Sequence, residues 1–145
     1  MTRTKKIIFS AFMWVTFASI AIANESFYDE AVKMYNEKNY DNAKFLFERN
    51  IVYNPKNVDS YLYLAKIYNK KEEQNKEEQN LDTVLLIDPN NEEAILMSMK
   101  IALKKSNYSK VKNFSDTFVK ICKKLCDEND SIKESLKNIE SKNES

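Results

Sequence analysis

The chain has 145 residues, enough for one domain, and it contains no glycine, no histidine and only two prolines. Without glycine it cannot form a Walker loop or a Rossmann phosphate turn, because both bring a backbone without a Cβ atom close to phosphate. Without histidine it lacks the imidazole used in nucleophilic triads, in many metal sites and in covalent haem attachment. Folds rich in β-hairpins depend on glycine, so the composition favours helices.

The N-terminal segment, residues 1–23, differs from the rest of the chain. Three basic residues come within its first six positions, an apolar run follows over 7–22, and Ala21 and Ala23 form the small-x-small pattern that signal peptidase accepts. The run is short for a membrane span. We predict a secretory signal peptide and an exported mature chain, residues 24–145, which is periplasmic if the host has two membranes. The alternative is an uncleaved segment that anchors the chain in the inner membrane.

The charge of the mature chain limits its partners. The whole chain carries +1 and the signal segment carries three of its basic residues, so the remainder carries a net charge of −2. Domains that bind nucleic acid have a strong basic excess. We therefore expect no nucleic-acid partner, and no stable membrane insertion after cleavage.

Residues recur at intervals of 34 positions in the remainder of the chain. Pro55 and Pro89 are one interval apart, and so are Ala31 and Ala65. Each interval holds two amphipathic stretches with helical spacing of the apolar residues. A fixed period of this length indicates a helical repeat array. We predict three repeats, then a C-terminal capping helix with a frayed tail, over residues 24–57, 58–91, 92–125 and 126–145.

This pattern resembles the tetratricopeptide repeat family. The family's unit is a helix–turn–helix with a small residue in its first helix (helix A), an aromatic residue before its second (helix B), an alanine early in helix B and a closing proline. The first repeat has these features at Ala31, Tyr40, Ala43 and Pro55. The resemblance implies an all-α solenoid of helical hairpins whose concave face, lined by the A helices, binds a protein or peptide.

The middle of the second repeat departs from the family pattern. Gln74 and Glu77 stand where the family has an aromatic residue and an alanine. They belong to the sequence Lys-Glu-Glu-Gln-Asn, which covers 71–75 and is repeated at once over 76–80. We interpret this stretch as a solvated, charge-rich start of helix B.

Short polar residues predict where helices begin. Asp41 and Ser109 are the expected N-caps of the B helices in the first and third repeats, and Asn57 and Asn90 of the A helices in the second and third. Because the chain has no glycine, we also expect asparagine to fill turn positions with positive φ.

The two cysteines, Cys122 and Cys126, lie four positions apart near the end of the third B helix. In an oxidising compartment they can pair, provided that the helix loosens around Lys123 and Lys124, because an intact helix holds the Cβ atoms too far apart. A structural disulfide is our first interpretation and reduced packing cysteines the second. Redox or copper chemistry comes last, since two thiolates are too few ligands for a metal site.

The chain offers no obvious catalytic site. Catalysis needs convergent groups with shifted pKa values, whereas the carboxylates and lysines are scattered along polar helix faces. Glu92 and Glu93 are better interpreted as the first turn of a helix, where acids are favoured, than as a catalytic pair. We predict that the chain is not an enzyme and has no catalytic residue, no bound metal and no cofactor.

Four lysines hold equivalent positions on the A helices of the second and third repeats, four residues apart within each pair. By resemblance to the family, these positions face the concave groove, and two tyrosines continue that face in the first repeat. Such a surface suits an acidic protein segment or peptide. The predicted site consists of Lys66, Lys70, Lys100, Lys104, Tyr28 and Tyr35.

The sequence thus favours a non-catalytic scaffold in the periplasm or cell envelope. Two alternatives stay open. One is a redox or metal-handling accessory protein that acts through Cys122 and Cys126. The other is a structural subunit of an envelope complex that uses its apolar ends.

Signal-peptide cleavage predicts that the mature chain begins at Asn24. The intact mass of protein recovered from a soluble envelope extract should therefore match residues 24–145. A mass that includes residues 1–23 would contradict cleavage and support the anchored form.

Overall fold

The structure is a computed structural model that describes the backbone of residues 27–143 and the side chains of residues 27–139. The predicted signal peptide, residues 1–23, lies outside the described residues. Within them the backbone forms α-helices joined by short turns, so the prediction of an all-α chain is confirmed. The helices are α1 over 27–36, α2 Tyr40–Tyr53, α3 Val58–Lys70, α4 Gln74–Ile87, α5 Glu92–Lys104, α6 Tyr108–Ile121 and α7 Cys126–Asn143.

The helix bounds recur with the period found in the sequence. The B helices α2, α4 and α6 each have 14 residues and begin 34 positions apart. The A helices α3 and α5 each have 13 residues and also begin 34 positions apart. The last helix, α7, begins one further period after α5 and has 18 residues. It therefore stands in the place of another A helix.

The described residues divide into two compact units, with the boundary between Ser60 and Tyr61. In the first unit, α1 packs against α2 where Tyr28 contacts Phe47, and Ala31, Ala43 and Phe47 have no exposed surface. A methyl side chain on each helix lets the two backbones approach closely, and the phenyl ring fills the space beside them. The small residues of the repeat pattern thus have a packing role.

In the second unit, α5 packs against α4, α6 and α7. Buried side chains of α5, α6 and α7 form one apolar cluster, in which each large side chain contributes roughly 1.5–3 kcal/mol by its removal from water. From α7 only one stripe enters this cluster, and its opposite face is polar, so α7 covers one side of the core. The cluster consists of Ile95, Leu96, Met99, Ala102, Val111, Phe118, Ile132 and Leu136.

Two buried hydrogen bonds join a B helix to the A helix that follows it. Asn50 of α2 donates to the hydroxyl of Ser60 at the start of α3, at 2.8 Å. Ser115 of α6 donates to the side-chain carbonyl of Asn129 in α7, at 2.9 Å. All four side chains are buried, so these junctions hold satisfied polar pairs in the interior.

The turn between helix A and helix B is the same in each hairpin. Lys38, Glu72 and Ser106 adopt positive φ values of 61°, 59° and 55° and lie 34 positions apart. The N–H of the next residue donates to a carbonyl five positions earlier, as Asn107 does to Ala102 at 2.8 Å, which is the Schellman pattern of a helix end. The prediction that asparagine fills these positions is wrong.

Asparagine instead stands one position later and caps the next helix. Asn39 and Asn107 cap α2 and α6, so Asp41 and Ser109 lie inside the first turns that they were predicted to cap. The turn is shorter than expected, and the B helices begin earlier. Asn57 accepts from the N–H of Ser60 as predicted, whereas α5 is capped by Asn91 and not by Asn90.

Among residues 27–143, no helix combines the length and the hydropathy that crossing a membrane requires.

Because a residue other than glycine pays a steric cost at positive φ, Ser106→Gly should stabilise the protein by about 0.5–1 kcal/mol. The same change at Ser109, inside α6, should instead destabilise it by up to about 0.5 kcal/mol, since glycine weakens a helix. Urea denaturation of both variants measures the difference. Equal effects of the two substitutions would contradict the turn geometry.

Candidate functional site

Two of the four predicted lysines have internal acidic partners. Lys66 of α3 lies 2.8 Å from the carboxylate of Glu93 in the first turn of α5, and 5.0 Å from the ring centroid of Tyr63. Lys100 of α5 lies 3.0 Å from Glu128 in the first turn of α7. Each pairs with an acid at the start of the next A helix. Partly exposed ion pairs contribute only about 0.2–1 kcal/mol, so a ligand carboxylate can replace the internal one at little cost.

The other two lysines, Lys70 and Lys104, lie at the ends of α3 and α5 and are exposed. No carboxylate among the described side chains forms an ion pair with either of them. All four lysines belong to the second compact unit. They stand on two helices that the Lys66–Glu93 pair bridges, so the predicted basic residues occupy neighbouring elements.

The predicted tyrosines take part in the packing of the first hairpin. Tyr28 packs edge-on against Phe47 with 6.0 Å between ring centroids, and Tyr35 packs edge-on against Tyr40 at 5.5 Å. Both are half-buried. Their rings therefore stabilise α1 on α2, and their role in ligand binding stays a prediction.

The cysteines lie where the polypeptide leaves one helix and enters the next. α6 ends at Ile121, Cys122 caps it, and α7 begins at Cys126. The two cysteines are joined by a disulfide, with Cα atoms 5.4 Å apart, inside the usual range of about 4.4–6.8 Å. The helix is therefore interrupted between the cysteines, which is the condition that we expected a disulfide to need.

Glu92 has a second role that sequence analysis missed. Its carboxylate accepts hydrogen bonds from the backbone N–H groups of Lys123, Lys124 and Leu125, at 2.9, 3.1 and 3.2 Å. These groups immediately precede α7, at its electropositive end. The hydrogen bonds, foremost that from Lys124, lower the pKa of Glu92. The residue begins α5, as predicted, and also fixes the connection between α6 and α7.

Glu77 corrects the interpretation of the charge-rich segment. It is only 4% exposed and occupies in α4 the place that Ala43 has in α2, so this part of the segment is core and not a solvated face. Its carboxylate accepts a hydrogen bond from the side-chain amide of Asn69 at 2.9 Å. Burial raises the pKa of Glu77, opposed by that hydrogen bond and by the charge of Lys104.

The neighbouring Glu78 has the opposite electrostatic environment. It pairs with Lys105 and with Lys110, the latter at 3.4 Å. Hydrogen bonding to Lys105, then the charge of Lys105 and contacts with Lys110, lower the pKa of Glu78. The pKa values of the adjacent Glu77 and Glu78 therefore shift in opposite directions, because Glu77 is buried in the interior and Glu78 contacts two lysines.

Comparison with known proteins identifies the fold. No protein-family model matches the sequence, and no curated protein matches it. The structure is similar to that of the type III secretion chaperone SycD of Yersinia enterocolitica in complex with a peptide of the translocator YopD. The TM-score is 0.72 at 14% identity, over 80% of this chain and 93% of that chain.

Two further solved structures are similar. The TPR domain of Sgt2 from Aspergillus fumigatus has a TM-score of 0.68 and 16% identity, over 85% of this chain and 83% of that chain. A chain of a CopN–Scc3 complex has a TM-score of 0.62 and 14% identity, over 80% of this chain and 68% of that chain. These matches confirm the predicted fold, an all-α solenoid of tetratricopeptide-like hairpins. At such identities they establish the fold alone.

Because the folded-state pKa of Glu77 lies above its ordinary value of 4.5, burial of its charge destabilises the protein at neutral pH. This cost shrinks as the pH falls through the folded-state pKa and is lost below 4.5. Glu77→Gln keeps an acceptor for Asn69 and should stabilise the protein at pH 7, on the order of 1 kcal/mol.

The advantage of Glu77→Gln over the natural protein should shrink as the pH falls toward 4.5, in denaturant titrations at several pH values. Glu78 and Glu92 have lowered pKa values and contribute stability that is lost in acid, but they are present in both the variant and the natural protein. The difference in stability between the two proteins therefore reports on Glu77. The exposed Glu134→Gln is the control and should show no such trend. A pH-independent difference would contradict the burial of Glu77.

Proposed function

We propose that this protein is a non-catalytic scaffold that binds an acidic segment of another protein, or an acidic peptide. The binding site is the basic surface, defined by Lys66, Lys70, Lys100 and Lys104. One observation carries the proposal: a chaperone in complex with a peptide is similar in structure over 80% of this chain.

The electrostatics of the basic surface support an acidic ligand. Lys70 and Lys104 present ammonium groups to solvent, while Lys66 and Lys100 are held by Glu93 and Glu128 in exchangeable pairs. A ligand carboxylate gains attraction from the exposed pair and replaces the internal acids of the other pair. The chain beyond residue 23 is slightly acidic overall, so this attraction is local and depends on these lysines.

We propose the periplasm or cell envelope as the location. The composition of residues 1–23 supports export. The disulfide between Cys122 and Cys126 is compatible with an oxidising compartment. Tyr28 and Tyr35 lie in the first compact unit and are half-buried. We propose that their rings offer aromatic contacts to a bound ligand.

A charge-neutralising variant at the two exposed lysines tests the basic surface and leaves the pairs of Lys66 with Glu93 and of Lys100 with Glu128 intact. The double variant Lys70→Gln with Lys104→Gln should bind a short Glu-rich peptide about two- to tenfold more weakly than the natural protein, as expected for two exposed charge contacts. Calorimetric titration measures the affinity. Binding by the natural protein should also weaken as salt rises.

The matched control is Lys120→Gln with Lys137→Gln, which removes the same charge from exposed positions of α6 and α7. It should bind as the natural protein does. A Gln-substituted peptide should bind neither protein well. Equal weakening in both double variants would show that net charge and not the basic surface attracts the peptide, and unchanged binding in Lys70→Gln with Lys104→Gln would place the interface elsewhere.

A further inference from the structure

The disulfide lies close in sequence to Glu128, an acid that is ion-paired with a lysine of the basic surface. Cys126 is the first residue of α7, and Glu128, two positions later in the same first turn, lies 3.0 Å from Lys100. Cys122 caps α6, so the bond between Cys122 and Cys126 ties this turn to the end of α6. The position of Glu128 therefore depends on how firmly residues 122–126 are held.

A second contact holds the same segment from the side of α5. Glu92 binds the three backbone N–H groups between the cysteines, and its neighbour Glu93 pairs with Lys66. Of these adjacent residues of α5, Glu92 thus holds the segment before α7, and Glu93 forms an ion pair with one lysine of the basic surface. The connection between α6 and α7 is therefore linked to the proposed binding site directly by Glu128, which pairs with Lys100, and indirectly by Glu92, whose neighbour Glu93 pairs with Lys66.

The rest of α7 is fixed independently of the disulfide. Ile132 and Leu136 are buried in the apolar cluster, and Asn129 accepts its buried hydrogen bond from Ser115. Loss of the bond between the cysteines removes the covalent tie on residues 122–128, whereas the hydrogen bonds to Glu92 and the remainder of α7 stay in place. The effect is confined to the turn that carries Glu128.

We propose that the Cys122–Cys126 disulfide regulates the basic surface: the bonded form keeps Glu128 on Lys100, and reduction releases Glu128 and frees Lys100 for an acidic ligand. This inference rests on the proposed function, because it treats the basic surface as the binding site. The protein in this view binds its acidic partner more weakly when oxidised than when reduced.

The reductant is a dithiol. Its thiolate attacks one sulfur of the disulfide, a mixed disulfide forms, and the second thiol of the reductant displaces the remaining protein sulfur. The products are two protein thiols and the cyclic disulfide of the reductant, so two electrons and two protons pass to the protein. Cys122 and Cys126 are both partly exposed, and the exposed Lys123 and Lys124 between them attract an anionic reductant.

The first test is binding of a short Glu-rich peptide to the full chain, oxidised and after reduction with dithiothreitol. The reduced protein should bind about two- to fivefold more tightly, the range that one exposed ion pair supplies. Cys122→Ser with Cys126→Ser should match the reduced protein under both conditions. Glu128→Gln should bind tightly in both redox states, whereas the control Glu134→Gln, an exposed acid of the same helix, should keep the redox difference.

A second test needs no ligand. Hydrogen exchange at residues 123–128 should quicken on reduction while Ile132 and Leu136 stay protected, and acylation of the Lys100 amine should quicken while that of Lys70 does not change. Unchanged exchange and acylation would overturn the inference, and so would a redox difference that persists in Glu128→Gln. If no form binds the peptide but Lys100 is freed on reduction, the proposed ligand is wrong and the coupling between disulfide and lysine stands.

Discussion

The close approach of paired helices at small residues is the contact on which the rest of this structure depends. Ala31, Ala43, Ala65 and Ala94 have no exposed surface. None of these helices can bury its apolar stripe alone, so each gains stability only from the helices beside it. A larger side chain at such a position would separate two backbones and disturb every contact that follows from their spacing.

The repeat was predictable because its signals are local and recur. Prolines and alanines return after 34 positions, and so do the lengths and starts of the helices. The caps were predicted less well, because the A-to-B turn uses a positive φ at an ordinary residue, which the sequence does not show. Ser106 could be recognised only by its backbone hydrogen bonds, and once it forms the turn, Asn107 must be the cap.

The features of the site that the sequence did not predict depend on contacts between residues far apart in the chain. The sequence places the four lysines at equivalent positions one repeat apart, but the pairing of Lys66 with Glu93 and of Lys100 with Glu128 joins residues 27 and 28 positions apart, and no local pattern indicates it. Glu92 binds N–H groups 31–33 positions away. Glu77 is a different case. It stands 34 positions after Ala43, which already indicated a buried position, but its charge led us to predict an exposed one.

The buried hydrogen bond between Asn50 and Ser60 has a consequence for how such a chain can evolve. One period later the same two positions hold Val84 and Ala94, both fully buried. Loss of the second repeat would bring the amide of Asn50 against the methyl group of Ala94, and duplication of the second repeat would place the hydroxyl of a second Ser60 against Val84. An unpaired buried amide costs about 1–3 kcal/mol. The pair between Ser115 and Asn129 imposes the same condition where α6 meets α7. Hydrogen bonding therefore disfavours losses and rearrangements of repeats that apolar packing alone would tolerate.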